Sequence, residues 1–137
     1  MAAQLNAEIR KFLEEANVAV LATISHRGRI QATPVWFMVE GDHLLVNTSE
    51  GRVKLRNLEK HPYAALTVID PKNAYRWAQI QGKVSRFDKA AGARDIDRLS
   101  QRYLGKAYPY FAGDKPENRV SILLEPLAVV FRKSGVD

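Results

Sequence analysis

The strongest constraint on this chain is its cadence of short apolar runs, separated by turns too short to cross a sheet. "VAVLATIS" (18–25), "IQATPVWFMVE" (30–40) and "HLLVNT" (43–48) follow one another with only "HRGR" and then "GD" between them. A two-residue Gly-Asp connection is a hairpin turn, and hairpins pair their strands antiparallel. The cadence returns in "YAALTVID" (63–70) and "YRWAQIQGKVSRF" (75–87), joined around "PKN", and once more in "RVSILLEPLAVVFR" (119–132). Six strands are therefore expected. Helices are expected at about 3–16, through Leu5, Ile9, Phe12 and Leu13, and at 89–105, where Ile96, Leu99 and Tyr103 share a face and Gly105 caps the end. A third helix should follow the third strand. The sum is a mostly β (α+β) chain, a small closed antiparallel barrel with peripheral helices, with an open α+β sheet as the alternative.

The chain has 137 residues, enough for one domain spanning 1–137. Its 46% hydrophobic and 26% charged residues describe an ordinary globular core and surface. Having no cysteine excludes disulfides, thiolate metal sites and a cysteine nucleophile, and fits a cytoplasmic protein. "MAAQLNAEIRKFLEEAN" lacks the apolar core of a signal peptide, and no run is long enough to span a membrane. The net charge of +6 points to an anionic partner or to a solvated basic surface.

Catalytic side-chain constellations are missing. His26, His43 and His61 are scattered without metal-ligand spacing, and Ser25 and His26 are adjacent residues whose side chains diverge. Asp95 and Asp97 are expected on an exposed helix face. There is neither a P-loop nor a G-x-G-x-x-G. No catalytic residue and no metal site are predicted, so any chemistry must come from a cofactor.

"NTSEGRVKLRNLEKHP" (47–62) is where such a cofactor would be held. Ser49 is a good N-cap, Leu55 and Leu58 share a buried face, and His61-Pro62 ends the helix. Yet its start carries Arg52 and Lys54, with Arg56 close behind. A helix N-terminus already presents positive charge, so bases there are unfavourable unless an anion joins them. The dipole, the unpaired N–H groups, Ser49 and the two cations suit a phosphate, and Gly51 lets it approach the backbone. The competing account has Glu50 neutralising the bases. Pro34, within a strand, marks an edge or bulge beside which a planar ring can bond. Trp77, Tyr108, Tyr110 and Phe111 are candidate walls for that ring.

In order, "VLATISHRGRIQATPVWF", "VNTSEGRVKLRNLEKHPYAALTV", "YRWAQIQGKV" and "RYLGKAYPY" resemble the flavin- and deazaflavin-binding split-barrel superfamily named for pyridoxamine 5'-phosphate oxidase. The resemblance implies a six-stranded split barrel and a homodimer with cofactors in clefts at the subunit interface. It implies that Arg52 and Lys54 hold the cofactor phosphate, beside Thr48 and Ser49. Gln31, Ala32, Thr33, Pro34 and Val35 would meet the ring, Thr23 and Ser25 would border the cleft, and Trp77 would reach the ring from the partner subunit. The ending "VVFRKSGVD" lacks the Trp- and Arg-containing tail that binds substrate phosphate in pyridoxamine phosphate oxidases, so that activity is not expected. The short form, the Arg-x-Lys spacing and "RYLG…YP" are more similar to the branch that uses coenzyme F-420. That coenzyme carries a phosphodiester and a polyglutamate tail, which Arg27, Arg29, Arg56 and Lys60 would accompany.

The expected function is therefore hydride transfer between reduced F-420 and an electron-poor small-molecule acceptor. The alternatives are an FMN-binding oxidoreductase of the same fold, a non-catalytic flavin or haem carrier, and a basic nucleic-acid binder using its aromatics as stacking platforms. Neither nucleic acid nor membrane is the expected partner.

Overall fold

A computed structural model describes residues 3–134. Helix α1 (Ala7–Leu13) starts later than its periodicity suggests, because the Asn6 carboxamide accepts the Ile9 N–H at 2.9 Å and so takes the N-cap. Strands β1 (Ala19–Ile24), β2 (Ile30–Val35), β3 (Met38–Glu40) and β4 (His43–Ser49) come next, then α2 (Val53–Lys60) and the hairpin β5 (Tyr63–Asp70) and β6 (Asn73–Asp88). Helix α3 (Gly92–Leu104), a loop with two short 3-10 turns, and β7 (Arg119–Arg132) complete the chain.

Seven strands form one antiparallel sheet in the order β2-β1-β5-β6-β7-β4-β3, rather than six in a closed barrel. The two ends of this order, β2 and β3, are joined by Trp36 and Phe37 alone, so the sheet must roll until its edges lie close together. The expected single strand 30–40 thus divides into two, one piece serving each edge. Phe37 is fully buried at the division. No strand pairing is available to its backbone there, and the Tyr103 hydroxyl of α3 takes that role. It accepts the Phe37 N–H at 3.3 Å and lies 3.2 Å from the Phe37 carbonyl and 2.9 Å from that of Asn17. A side chain bridges the seam where a ladder would have closed it.

Strands β6 and β7 are long and bent by register shifts at Gln81/Gly82 and Val84/Arg86, which lets them serve both halves of the roll. Inward residues alternate along β5, with Ala64, Leu66 and Val68 buried against Leu21, Ile80 and Ile122. Helix α2 seals one mouth through Leu55 and Leu58. Helix α3 lies so close to β7 that a Cβ on Gly92 would stand 2.0 Å from the Arg119 carbonyl, which only glycine permits. Asp95, expected on an exposed face, is 3% exposed beneath this contact. Its carboxylate accepts from Ser121 Oγ at 2.7 Å, Arg98 Nη1 at 2.9 Å and Arg94 Nε at 3.1 Å. Burial alone would push that carboxyl upward, but the three donors outweigh it and hold it below the usual range.

The opposite sheet surface is apolar and open. Ile30, Ala32 and Pro34 of β2 point outward, in register with Ile24, Ala22 and Val20 of β1. Ile69 continues the face on β5, and Ile30 is 74% exposed.

Candidate functional site: a cationic cleft at the start of helix α2

Ser49 is the last residue of β4 and not a helix cap. Gly51, at φ +89°, turns the chain, and Arg52 takes the N-cap position with no side-chain cap bond. The first turn of α2 therefore keeps its N–H groups free of a side-chain acceptor and has no acidic residue. Glu50 does not neutralise the bases: its carboxylate meets Lys89 Nζ at 2.5 Å. No hydrogen bond or ion pair to the Arg52 or Lys54 side chain occurs among the described residues. Lys54 is half-buried, and its ammonium is held below the ordinary lysine range by burial first, then by the charges of Arg52 and Arg119. A cation so placed lacks its counter-charge.

These residues line a cleft of about 390 Å3 between α2, the β2 edge and the loop before β7. Pro34, Val35 and Trp36 form one wall, Thr48 and Ser49 the floor, and Tyr108 and Phe111 the far side. The aromatics support one another. Trp36 stacks on Tyr103 at 5.5 Å and 7°, and Tyr108 meets Trp36, Tyr110 and Phe111 edge-on. Asp97 holds this loop in place by accepting the Tyr108 N–H at 2.9 Å.

Arg119 completes the lining. Its Nε donates to Asn47 Oδ1 at 2.9 Å, its Nη1 to Asp114 Oδ2 at 2.6 Å, and its guanidinium lies 5.2 Å from the Tyr108 ring centre. The other Asp114 oxygen accepts from Ser49 Oγ at 2.8 Å. Burial works to raise the Asp114 carboxyl, but the Ser49 and Arg119 hydrogen bonds overcome it and hold it low.

Of the twelve residues the sequence suggested, Pro34, Val35, Thr48, Ser49, Arg52 and Lys54 come together in this cleft. Ser25 and Gln31 instead line a second cavity of about 450 Å3, along the α2 face that carries Arg56 and Lys60, together with Arg27 and Arg29. Thr23 is buried and accepts from Asn57 Nδ2 at 3.0 Å. Thr33 points inward; its Oγ1 and the Gln31 Oε1 are buried polar atoms without a partner among the described residues. Ala32 faces the open sheet surface. Trp77 lies on that surface too, opposite Ile69, away from the cleft of its own chain. The sequence reading missed Arg119, Asn47, Asp114 and Trp36. An arginine opening an apolar strand signals a special role only once its partners are known, and Asn47 is 72 residues away.

The chain and its fold match a known family. The family model of pyridoxamine 5'-phosphate oxidase matches residues 5–133. The chain belongs to the pyridoxamine 5'-phosphate oxidase family. A solved F-420 reductase superposes with a TM-score of 0.79 at 30% identity, over 88% of this chain and 94% of that one. A conserved hypothetical protein of Mycobacterium tuberculosis shares the fold at TM-score 0.76 and 22% identity, over 96% of this chain and 86% of its own. The haem-storage protein HutZ of Vibrio cholerae does so at 0.70 and 21%, over 97% and 98%. The chain is thus of an oxidoreductase-like family whose folds bind flavin-type cofactors. Among the described residues no helix is long and apolar enough to cross a membrane.

Proposed function

We propose that this protein is a homodimeric oxidoreductase that binds the deazaflavin coenzyme F-420 and transfers hydride to an electron-poor organic acceptor. One observation carries the reading: among the described residues Arg52 and the half-buried Lys54 have no counter-ion, and they stand at the start of α2 in a cleft walled by Pro34, Trp36 and Tyr108. A phosphate supplies the missing charge, and the cleft's flat, apolar walls suit a ring. When bound, the deazaflavin supplies the carbon that carries hydride. The residues of this chain bind, orient and exclude water. Lys54 and Arg52 hold the phosphate, Trp36 and Tyr108 bound the ring space, and Val35 and Pro34 present an edge whose backbone is not paired by a further strand.

The deazaflavin is preferred to FMN because of the second cavity. Arg27, Arg29, Arg56 and Lys60 border it, and none of them forms an ion pair among the described residues. A polycarboxylate tail leaving the phosphate gives these charges an occupant, whereas FMN ends at its phosphate. The open apolar face with Ile30, Ala32 and Pro34 is the natural contact for a second copy, whose Trp77 would lie near this cleft.

The test is competition binding of FMN and long- and short-tailed F-420 at two ionic strengths, with absorbance and mass spectra of the ligand retained on purification. Long-tailed F-420 should bind tightest at low salt, and added salt should narrow its advantage. FMN binding as tightly as long-tailed F-420 at low salt would transfer the assignment to FMN.

A further inference from the structure

Arg119 stands out from the other cations of the cleft because it is held rigidly. Its side chain is 7% exposed, and the Asp114 side chain beside it is 4% exposed. Asn47 engages one edge of the guanidinium, Asp114 another, and the Tyr108 ring lies within cation–π range. A guanidinium has five N–H donors in a fixed fork. Among the described residues only Nε and Nη1 have partners, and Nη2 has none. Arg119 itself lines the cleft, beside Asn47, Ser49 and Tyr108.

Position strengthens the point. Arg119 opens β7 directly opposite Ser49, the last residue before the turn into α2. Its charge acts on Lys54, so the two cations share one electrostatic neighbourhood. The carboxylate paired with Arg119 is Asp114, which also accepts from Ser49 Oγ and the Lys115 N–H.

We propose that Arg119 is a third anion-binding cation of this cleft and that Asp114 is its built-in counter-charge. The strength and charge selectivity of anion binding are then set on the loop before β7 as well as on α2. Asp114 orients the fork so that its free donor meets a ligand without reorganisation, and at the same time repels the ligand's negative charge. The inference rests on reading the cleft as an anion site. It differs from a purely structural role for the Arg119–Asp114 pair in the sign of one effect. If Asp114 only held Arg119 in place, neutralising it would weaken binding. As a counter-charge, replacing it by Asn, whose amide oxygen still accepts from Arg119 and keeps the fork oriented, strengthens binding.

The experiment measures FMN and riboflavin, its dephosphorylated form, against Lys54→Met, Arg119→Gln and Asp114→Asn, by fluorescence titration at low salt. Asp114→Asn should tighten FMN about threefold, the scale of one partly screened charge, and leave riboflavin unchanged. A gain of affinity cannot arise from damage to the fold, so this variant decides even if Arg119→Gln proves unstable. Arg119→Gln should weaken FMN about tenfold, the loss of one charge-assisted bond, without affecting riboflavin. Weaker FMN binding by Asp114→Asn, or an equal loss of both ligands in Arg119→Gln, overturns the proposal. If Lys54→Met leaves FMN affinity intact, the anion-site reading itself fails. If Lys54→Met weakens FMN while Asp114→Asn and Arg119→Gln do nothing, only the role given to Arg119 and Asp114 fails.

Discussion

Replacing Lys54 by Met should move stability and affinity in opposite directions. The side chain is half-buried, has no carboxylate partner among the described residues, and shares its surroundings with Arg52 and Arg119. Burial and two like charges all disfavour its charged form, so at neutral pH the empty protein carries an unfavourable cation. Methionine keeps the apolar stem packed and removes that charge. The empty variant should melt slightly higher than wild type, by the few tenths to about 1 kcal/mol typical of partly screened charges. In the same variant a bound phosphate loses a hydrogen bond to a charged group, worth about 1.5–3 kcal/mol, which corresponds to roughly 10- to 150-fold in affinity. The sign of the pH dependence follows from the same cause. Because the folded-state value of Lys54 lies below its unfolded value, the penalty is fully present below the folded value and is relieved as pH rises towards the unfolded value near 10.4. Phosphate binding should fall over the same rise, earlier than for an ordinary lysine, and Lys54→Met should lose that part of the profile. Titration calorimetry with F-420 and with FMN, beside thermal melts of the empty protein, measures both quantities. Affinity within twofold of wild type for both ligands refutes the reasoning.

Gly92→Ala should destabilise the fold by about 1–3 kcal/mol, since its Cβ would lie 2.0 Å from the Arg119 carbonyl and α3 must lift off β7; an unchanged urea midpoint would contradict the close approach. Asp95, depressed in the folded state, contributes stability that is present above its unfolded value near 3.9 and lost as pH falls through the folded one. Asp95→Asn should therefore flatten the acid limb of the stability curve below about pH 4, and a limb of unchanged slope would remove Asp95 from that role. Sedimentation should show a wild-type dimer and an Ile30→Glu monomer, because burying an unpaired carboxylate costs several kcal/mol. A monomeric wild type, or a variant that still dimerises, excludes this face as the interface.

Much of the fold was legible because the signals were local. The Gly41-Asp42 turn allowed only a hairpin, and Glu40 does face His43 across it. Gly105 ends α3 in the left-handed conformation its identity suggested, and β7 runs from Arg119 to Arg132 as its apolar run indicated. The division of residues 30–40 was not legible. Trp36 and Phe37 are apolar residues in an apolar run, and only the rolling of the sheet sends the two halves to opposite edges. Asp95 likewise has the helical spacing of a surface residue, and is buried because Gly92 draws α3 onto β7.

The cleft divides along the same line. Arg52 and Lys54 were found from sequence because their meaning is a conflict with the helix they begin, and that conflict exists within a few residues. Ser49 was assigned to the helix by its residue type, yet the strand claims it, and its hydroxyl turns to Asp114, 65 residues away. Arg119 acquires its meaning from Asn47 and Asp114, and Trp36 from Tyr103 and Tyr108. Periodicity, turn chemistry and local charge are written along the chain, because they act between neighbours in sequence. Which cations remain unpaired, and what walls they face, depends on contacts that exist only after the sheet has rolled and α3 has closed over its seam.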